Sequence, residues 1–140
     1  MEPIFVSIET TGLRKDDHEL IQMTTLCCGT TNVINVKADK EPDEKAMEFN
    51  KLDASIGHSR KEFIELYGKC LEDKLTVIHC GKFTLKFILD AGIKIGKFVD
   101  VMEEARSKKL PLRLKALAEN LGVKGTKCEM LKGIYEALSA

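Results

Sequence analysis

Tryptophan is missing from this 140-residue chain, and tyrosine and phenylalanine number only two and six. So few aromatics leave no interleaving of aromatic and basic side chains of the kind that builds a base-stacking platform. Proline is also scarce, at three, and together with ten glycines it excludes a collagen-like or low-complexity chain. Net charge is absent, because 22 Lys and Arg balance 22 Asp and Glu. At the level of the whole chain this argues against a dedicated polyanion or membrane-surface binder. No apolar run approaches the ~20 residues that a membrane-spanning helix needs. The opening MEPIFVSIE carries a Glu where a secretory leader would carry Lys or Arg. The expectation is a protein without a membrane partner, in an intracellular, reducing compartment, cytoplasmic or nuclear.

Paired cysteines are lacking as well. Cys27, Cys28, Cys70, Cys80 and Cys128 are odd in number and contain no CxxC, so a structural zinc site has no ligand spacing to use. In a reducing compartment such residues are expected to act as small buried hydrophobes. What is present is the composition of one globular domain over residues 1–140, 44% hydrophobic and 31% charged. A chain of this length buries roughly 70% of the surface exposed when unfolded, so it needs no staples.

The first forty residues read as strands: PIFVSIE, ELIQMTTLCC and NVINVKA. Gly12 with residues 14–17 predicts one turn, and residues 29–32 a tighter one. A helix follows over 44–52. Ser59 with Glu62 has the spacing of a capping box, ahead of Phe63, Leu66, Tyr67 and Cys70 at helical intervals. LTVIHC reads as a short buried strand, and 82–91 as an amphipathic helix with Phe83, Leu85, Phe87, Ile88 and Leu89 inward, stopped by Gly92. A short strand over 98–101 and helices over 102–107, 112–121 and 127–138 complete the chain. The pattern predicts an α/β fold with one mixed sheet, antiparallel at first and parallel later.

The zero net charge hides two opposite halves. Residues 1–73 hold 9 basic and 15 acidic side chains, and residues 74–140 hold 13 basic and 7 acidic, balances of −6 and +6. Charge patterns of this kind usually mean solvated helix faces. The sharper reading is a basic groove lined by Lys82, Lys86, Lys108, Lys109, Arg113, Lys124, Lys127 and Lys132.

Phe5-Val-Ser-Ile-Glu-Thr-Thr-Gly-Leu13, followed by Glu19-Leu-Ile-Gln22, resembles the opening of the DnaQ-like (DEDDh) 3′–5′ exonucleases. In that family an apolar strand carries Asp-x-Glu, then Thr-(Thr/Gly)-Gly-Leu, then a strand beginning Glu-(Ile/Leu)-Ile-(Gln/Glu). Val77 to Leu89 is similar to the second exonuclease motif, Val-x-His-Asn-x-x-Phe-Asp and an apolar helix. Leu114 to Val123 resembles the helix before the third motif, and Lys127 to Ile134 falls where that motif, His-x-Ala-Leu-x-Asp-Ala, belongs. The resemblance implies a ribonuclease H-like fold: a mixed five-stranded sheet, three antiparallel strands then parallel strands, flanked by helices.

The family's reaction is two-metal phosphodiester hydrolysis, with four acidic side chains holding Mg²⁺ or Mn²⁺ and a histidine as general base. Carried over residue by residue, the first Asp falls on Ser7, the Glu on Glu9, the second-motif Asp on Thr84, the third-motif His on Cys128 and its Asp on Gly133. One carboxylate of four remains. No cofactor is expected beyond weak Mg²⁺ or Mn²⁺ at Glu9. Thr10, Thr11 and Leu13 match positions that in the family touch the terminal nucleotide, and Lys82 and Lys127 are further nucleic-acid candidates. His79 and Asp100 match family positions for which local structural roles are expected.

The expected function is a catalytically inactive exonuclease-fold domain serving as a protein-interaction or nucleic-acid-binding module. Its partner would be a protein or a single-stranded nucleic acid end. The alternatives are a metal-dependent 3′–5′ exonuclease with substituted or trans-supplied ligands, and a scaffold subunit or homodimer.

Overall fold

The structure is a computed structural model that describes residues 2–140. β-Branched and apolar alternation gives β1 (Pro3–Thr10), β2 (Leu20–Cys27) and β3 (Thr30–Asn35). Two short helices follow, α1 (Glu44–Asn50) and α2 (Arg60–Tyr67). Then strands and helices alternate: β4 (Leu71–Ile78), α3 (Gly81–Asp90), β5 (Ile95–Asp100) and α4 (Val101–Ser107). Helices α5 (Leu114–Leu121) and α6 (Lys127–Ser139) close the order.

One five-stranded sheet runs β3-β2-β1-β4-β5. The pairs β1–β2 and β2–β3 are antiparallel, while β1–β4 and β4–β5 are parallel. This is the mixed sheet, antiparallel then parallel, that the strand pattern predicts, with the five strands that the family resemblance implies. Its change from antiparallel to parallel pairing occurs at β1, the central strand, which places a crevice at the carboxyl ends of β1 and β4.

Alternate residues of β1 feed opposite faces. Ile4 and Val6 join Phe63 of α2 and Phe87 and Ile88 of α3 in one core. Phe5 joins Ala105, Leu117, Ala118, Cys128, Leu131 and Ile134 of α4, α5 and α6 in the other. The odd-numbered side of β1 therefore faces α6. That single fact of period 2 decides which residues meet at the site.

Several element boundaries differ from the sequence expectation. β4 begins at Leu71 rather than Leu75, and α5 begins at Leu114 rather than 112. The second turn is centred on Cys28 and Gly29, both left-handed with φ of 53° and 79°, so Thr30 already belongs to β3. Leu89, expected inward, is exposed, and so is Leu66. Each is next to an inward position on a short helix whose apolar face is narrower than its apolar content. Of the five cysteines only Cys128 is fully buried, and Cys28 is exposed.

Candidate functional site

The face shared by Phe5, Ser7 and Glu9 meets the first turn of α6. That turn is fixed by a complete capping box, in which Thr126 accepts from the Glu129 amide and Glu129 accepts from the Thr126 amide. The box sets two consecutive side chains against β1. Cys128 Sγ lies 3.5 Å from Ser7 Oγ and 3.4 and 3.6 Å from the carbonyl oxygens of Thr24 and Phe5. Burial pushes its thiol pKa up, against smaller opposing effects of hydrogen bonding to Ser7 and the nearby Lys127 charge. Lys127 Nζ lies 2.5 Å from Glu9 Oε1, an ion pair across 118 residues of sequence.

Thr84 stands on the first turns of α3 and is buried, and its hydroxyl donates to the His79 carbonyl at 2.8 Å. His79 Nε2 donates to the Leu112 carbonyl at 2.6 Å, the structural role expected of it. Asp100 also has a local role. Its carboxylate accepts from the amides of Cys80, Gly81 and Met102 at 3.1, 2.7 and 3.0 Å. It thereby holds the β4–α3 turn, where Cys80 is left-handed.

Together these elements leave a cleft of about 230 Å³ lined by Ser7, Ile8, His79, Phe83, Thr84 and Lys127, among others. The structure thus brings Ser7, Glu9, Cys128 and Lys127 together, with Thr84 on the same cleft. It does not bring Gly133 there. A Cβ on Gly133 would lie 2.4 Å from Val123 Cγ1, so this position faces the loop after α5. The α6 residue that confronts Ser7 is Cys128. Among the described residues no three of His, Cys, Asp and Glu converge to hold a metal ion.

The loop leaving β1 is tied down rather than free. Thr10 donates to the Gly12 carbonyl at 2.6 Å, and Thr11 Oγ1 accepts from the Glu19 amide at 3.0 Å. Asn50 Nδ2 donates to the Thr10 carbonyl, and the Asp43 amide donates to that of Thr11. Both threonines are buried, whereas Leu13 is 80% exposed just beyond them. Lys82 is exposed on the first turn of α3. Of the eight basic residues picked out from the sequence, Lys127 lines the cleft. Lys132 borders a different depression beside Cys28 and Tyr135, and Lys108 donates to the Leu138 carbonyl. Lys127 and Lys132 thus border separate depressions.

Sequence reasoning named both Lys127 and Glu9 but not their pairing. The available signal was the two-residue step of β1 matched to adjacent positions on α6. Without the helix packing that signal has no partner to select.

The fold is shared with solved nucleases. Exonuclease X in complex with 5′ overhanging duplex DNA superposes with a TM-score of 0.77 at 12% identity, over 97% of this chain and 90% of that one. Exonuclease I from Methylocaldum szegediense gives 0.74 at 14% identity, over 98% and 40%. E. coli Exonuclease I in complex with a dT13 oligonucleotide gives 0.68 at 13%, over 99% and 39%. The chain therefore spans about 40% of the Exonuclease I chains and nearly all of Exonuclease X. No curated protein sequence matches it. The sequence model of the RNase_H superfamily matches residues 4–134. With that match over most of its length, on the sheet described above, the chain belongs to the RNase_H superfamily.

Proposed function

We propose that this chain is a catalytically inactive exonuclease-fold domain that holds a single-stranded nucleic acid end in the cleft without cutting it. One observation carries the reading: the ammonium of Lys127 is paired with Glu9, the one carboxylate retained on β1 from the family's metal-binding set. Two divalent ions do not fit this donor set. Hard cations take carboxylate oxygens, whereas the cleft offers the hydroxyls of Ser7 and Thr84, and beside it lie only a carboxylate paired with Lys127 and a buried thiol. The positive charge of two dications would stand largely uncompensated there.

The same pair favours phosphate entry. A cleft floored by four free carboxylates repels a phosphodiester until metal ions neutralise it. Here a side-chain cation performs the neutralisation, so the backbone can approach without metal. Exposed Leu13, on the loop leaving β1, would offer an apolar surface for a terminal base, and exposed Lys82 on the first turn of α3 a further phosphate contact. Binding of this kind is salt-dependent, with a slope of about −0.7 per phosphate neutralised on a single strand.

Equilibrium titration with a short labelled single strand in EDTA tests the proposal. Glu9→Gln removes the competing carboxylate and frees Lys127 for phosphate, so affinity should rise several-fold. Lys127→Ala leaves Glu9 uncompensated, and affinity should fall by about tenfold, the effect of ~1.4 kcal/mol. Absence of binding by the parent chain, or indifference to both substitutions, would shift the reading to a protein partner.

A further inference from the structure

The β2–β3 hairpin ends in adjacent cysteines, and their geometry is independent of the cleft. Cys27 closes β2 opposite Thr30, and Cys28 is the first of two left-handed turn residues. Two-residue hairpin turns with both φ positive favour Asn and Gly at the first two positions. A cysteine at φ 53° is uncommon there. The turn directs both side chains together, with Cys27 Sγ 3.6 Å from Cys28 Sγ. Cys28 is exposed and Cys27 half-buried. Lys74 supplies a positive charge near Cys27, although burial and the Cys28 contact outweigh it and push the Cys27 thiol pKa up.

We propose that Cys27 and Cys28 form a reversible vicinal dithiol–disulfide site that exchanges with low-molecular-weight disulfides. The exposed Cys28 thiolate attacks one sulfur of the small disulfide, whose S–S bond breaks to release one thiolate. The half-buried Cys27 thiolate then attacks the Cys28 sulfur of the mixed disulfide and releases the second. The cysteine pair loses two electrons, the small disulfide is reduced to two thiols, and the two cysteine protons pass to them. Contact between the sulfurs makes the second step intramolecular and fast relative to escape.

Adjacency sets how the site behaves once closed. Neighbouring Cα atoms are ~3.8 Å apart across a trans peptide, below the ~4.4–6.8 Å of ordinary disulfides. The closed pair is therefore strained and easily reduced, which suits a reversible modification and not a structural staple.

The test treats the full chain with oxidised glutathione, alkylates the remaining thiols and digests with trypsin. The peptide 16–37 holds both cysteines and no other. It should emerge lighter by two hydrogens, unalkylated and free of glutathione, so that two of the five thiols are lost to alkylation and both return with dithiothreitol. Cys27→Ser should trap glutathione on Cys28 as a stable adduct, and Cys28→Ser should leave the peptide without glutathione on Cys27. Lasting glutathione adducts on the parent chain, a disulfide to a second copy, or an unreacted peptide would each overturn the proposal.

Discussion

Gly133 shows how a single position separates fold from chemistry. The motif resemblance puts an acidic ligand there, yet a Cβ would meet Val123 Cγ1 at 2.4 Å and Cγ2 at 3.1 Å. Both atoms belong to a β-branched side chain that turns little. Gly133→Ala gains helix propensity of about 1 kcal/mol and suffers overpacking of ~1–3 kcal/mol. The net expectation is a loss of about 1 kcal/mol in urea unfolding, with Gly133→Asp worse and no gain in metal affinity. A stabilised Gly133→Ala would mean that Val123 yields freely.

Cys128 gives a second expectation at this scale. Its thiol pKa and that of Cys70 are raised by burial in the folded chain. Unfolded thiols ionise near pH 8.5, so above that value the unfolded state binds fewer protons and stability falls with rising pH until the folded thiols titrate. Unfolding free energy measured between pH 7 and 10 should decline, and Cys128→Ala should make the decline shallower. A decline unchanged by the substitution would remove Cys128 from this account.

Caps, turns and strand ends carry the argument among the elements, and these were unevenly legible in the sequence. The capping box at Ser59 and Glu62 was readable because its spacing is local, and it is complete. The box at Thr126 is equally local and equally complete. The start of β4 was not readable. Glu72, Asp73 and Lys74 are polar because this stretch pairs only with β5, through an irregular register, before β1 joins at Leu75. A strand paired on one side at its beginning has no hydrophobic alternation to show.

Asp100 is the cap with the widest reach, since one carboxylate holds three amides from the β4–α3 turn and from α4. Hydrogen bonds to a charged group contribute roughly 1.5–3 kcal/mol, and loss of an N-cap about 1. Asp100→Ala should therefore cost about 2–4 kcal/mol in chemical denaturation. A cost below about 1 kcal/mol would show that water replaces the carboxylate at those amides.

Across the whole molecule, the opposite charge of the two halves has its local expression in one contact. Glu9 comes from the half with a balance of −6 and Lys127 from the half with +6, and the sheet and α6 bring them together. The fold itself was legible from the order of apolar strands and helices and from the motif of β1. The ion pair was not, because a contact across 118 residues depends on the packing of α6 against β1. The sharper of the two charge readings, one basic groove, meets a related fact: Lys127 and Lys132, both on α6, border separate depressions.

Nuclease and binding assays on one sample test the central claim most directly. A 3′-labelled single strand is titrated with the protein in EDTA and again in Mn²⁺, at two salt concentrations, and each sample is then resolved on a denaturing gel. The account predicts the same salt-sensitive binding with and without the metal, and a strand of unchanged length. Shortened product that appears only with Mn²⁺ would contradict it, because a metal site would then operate despite the lysine paired with Glu9.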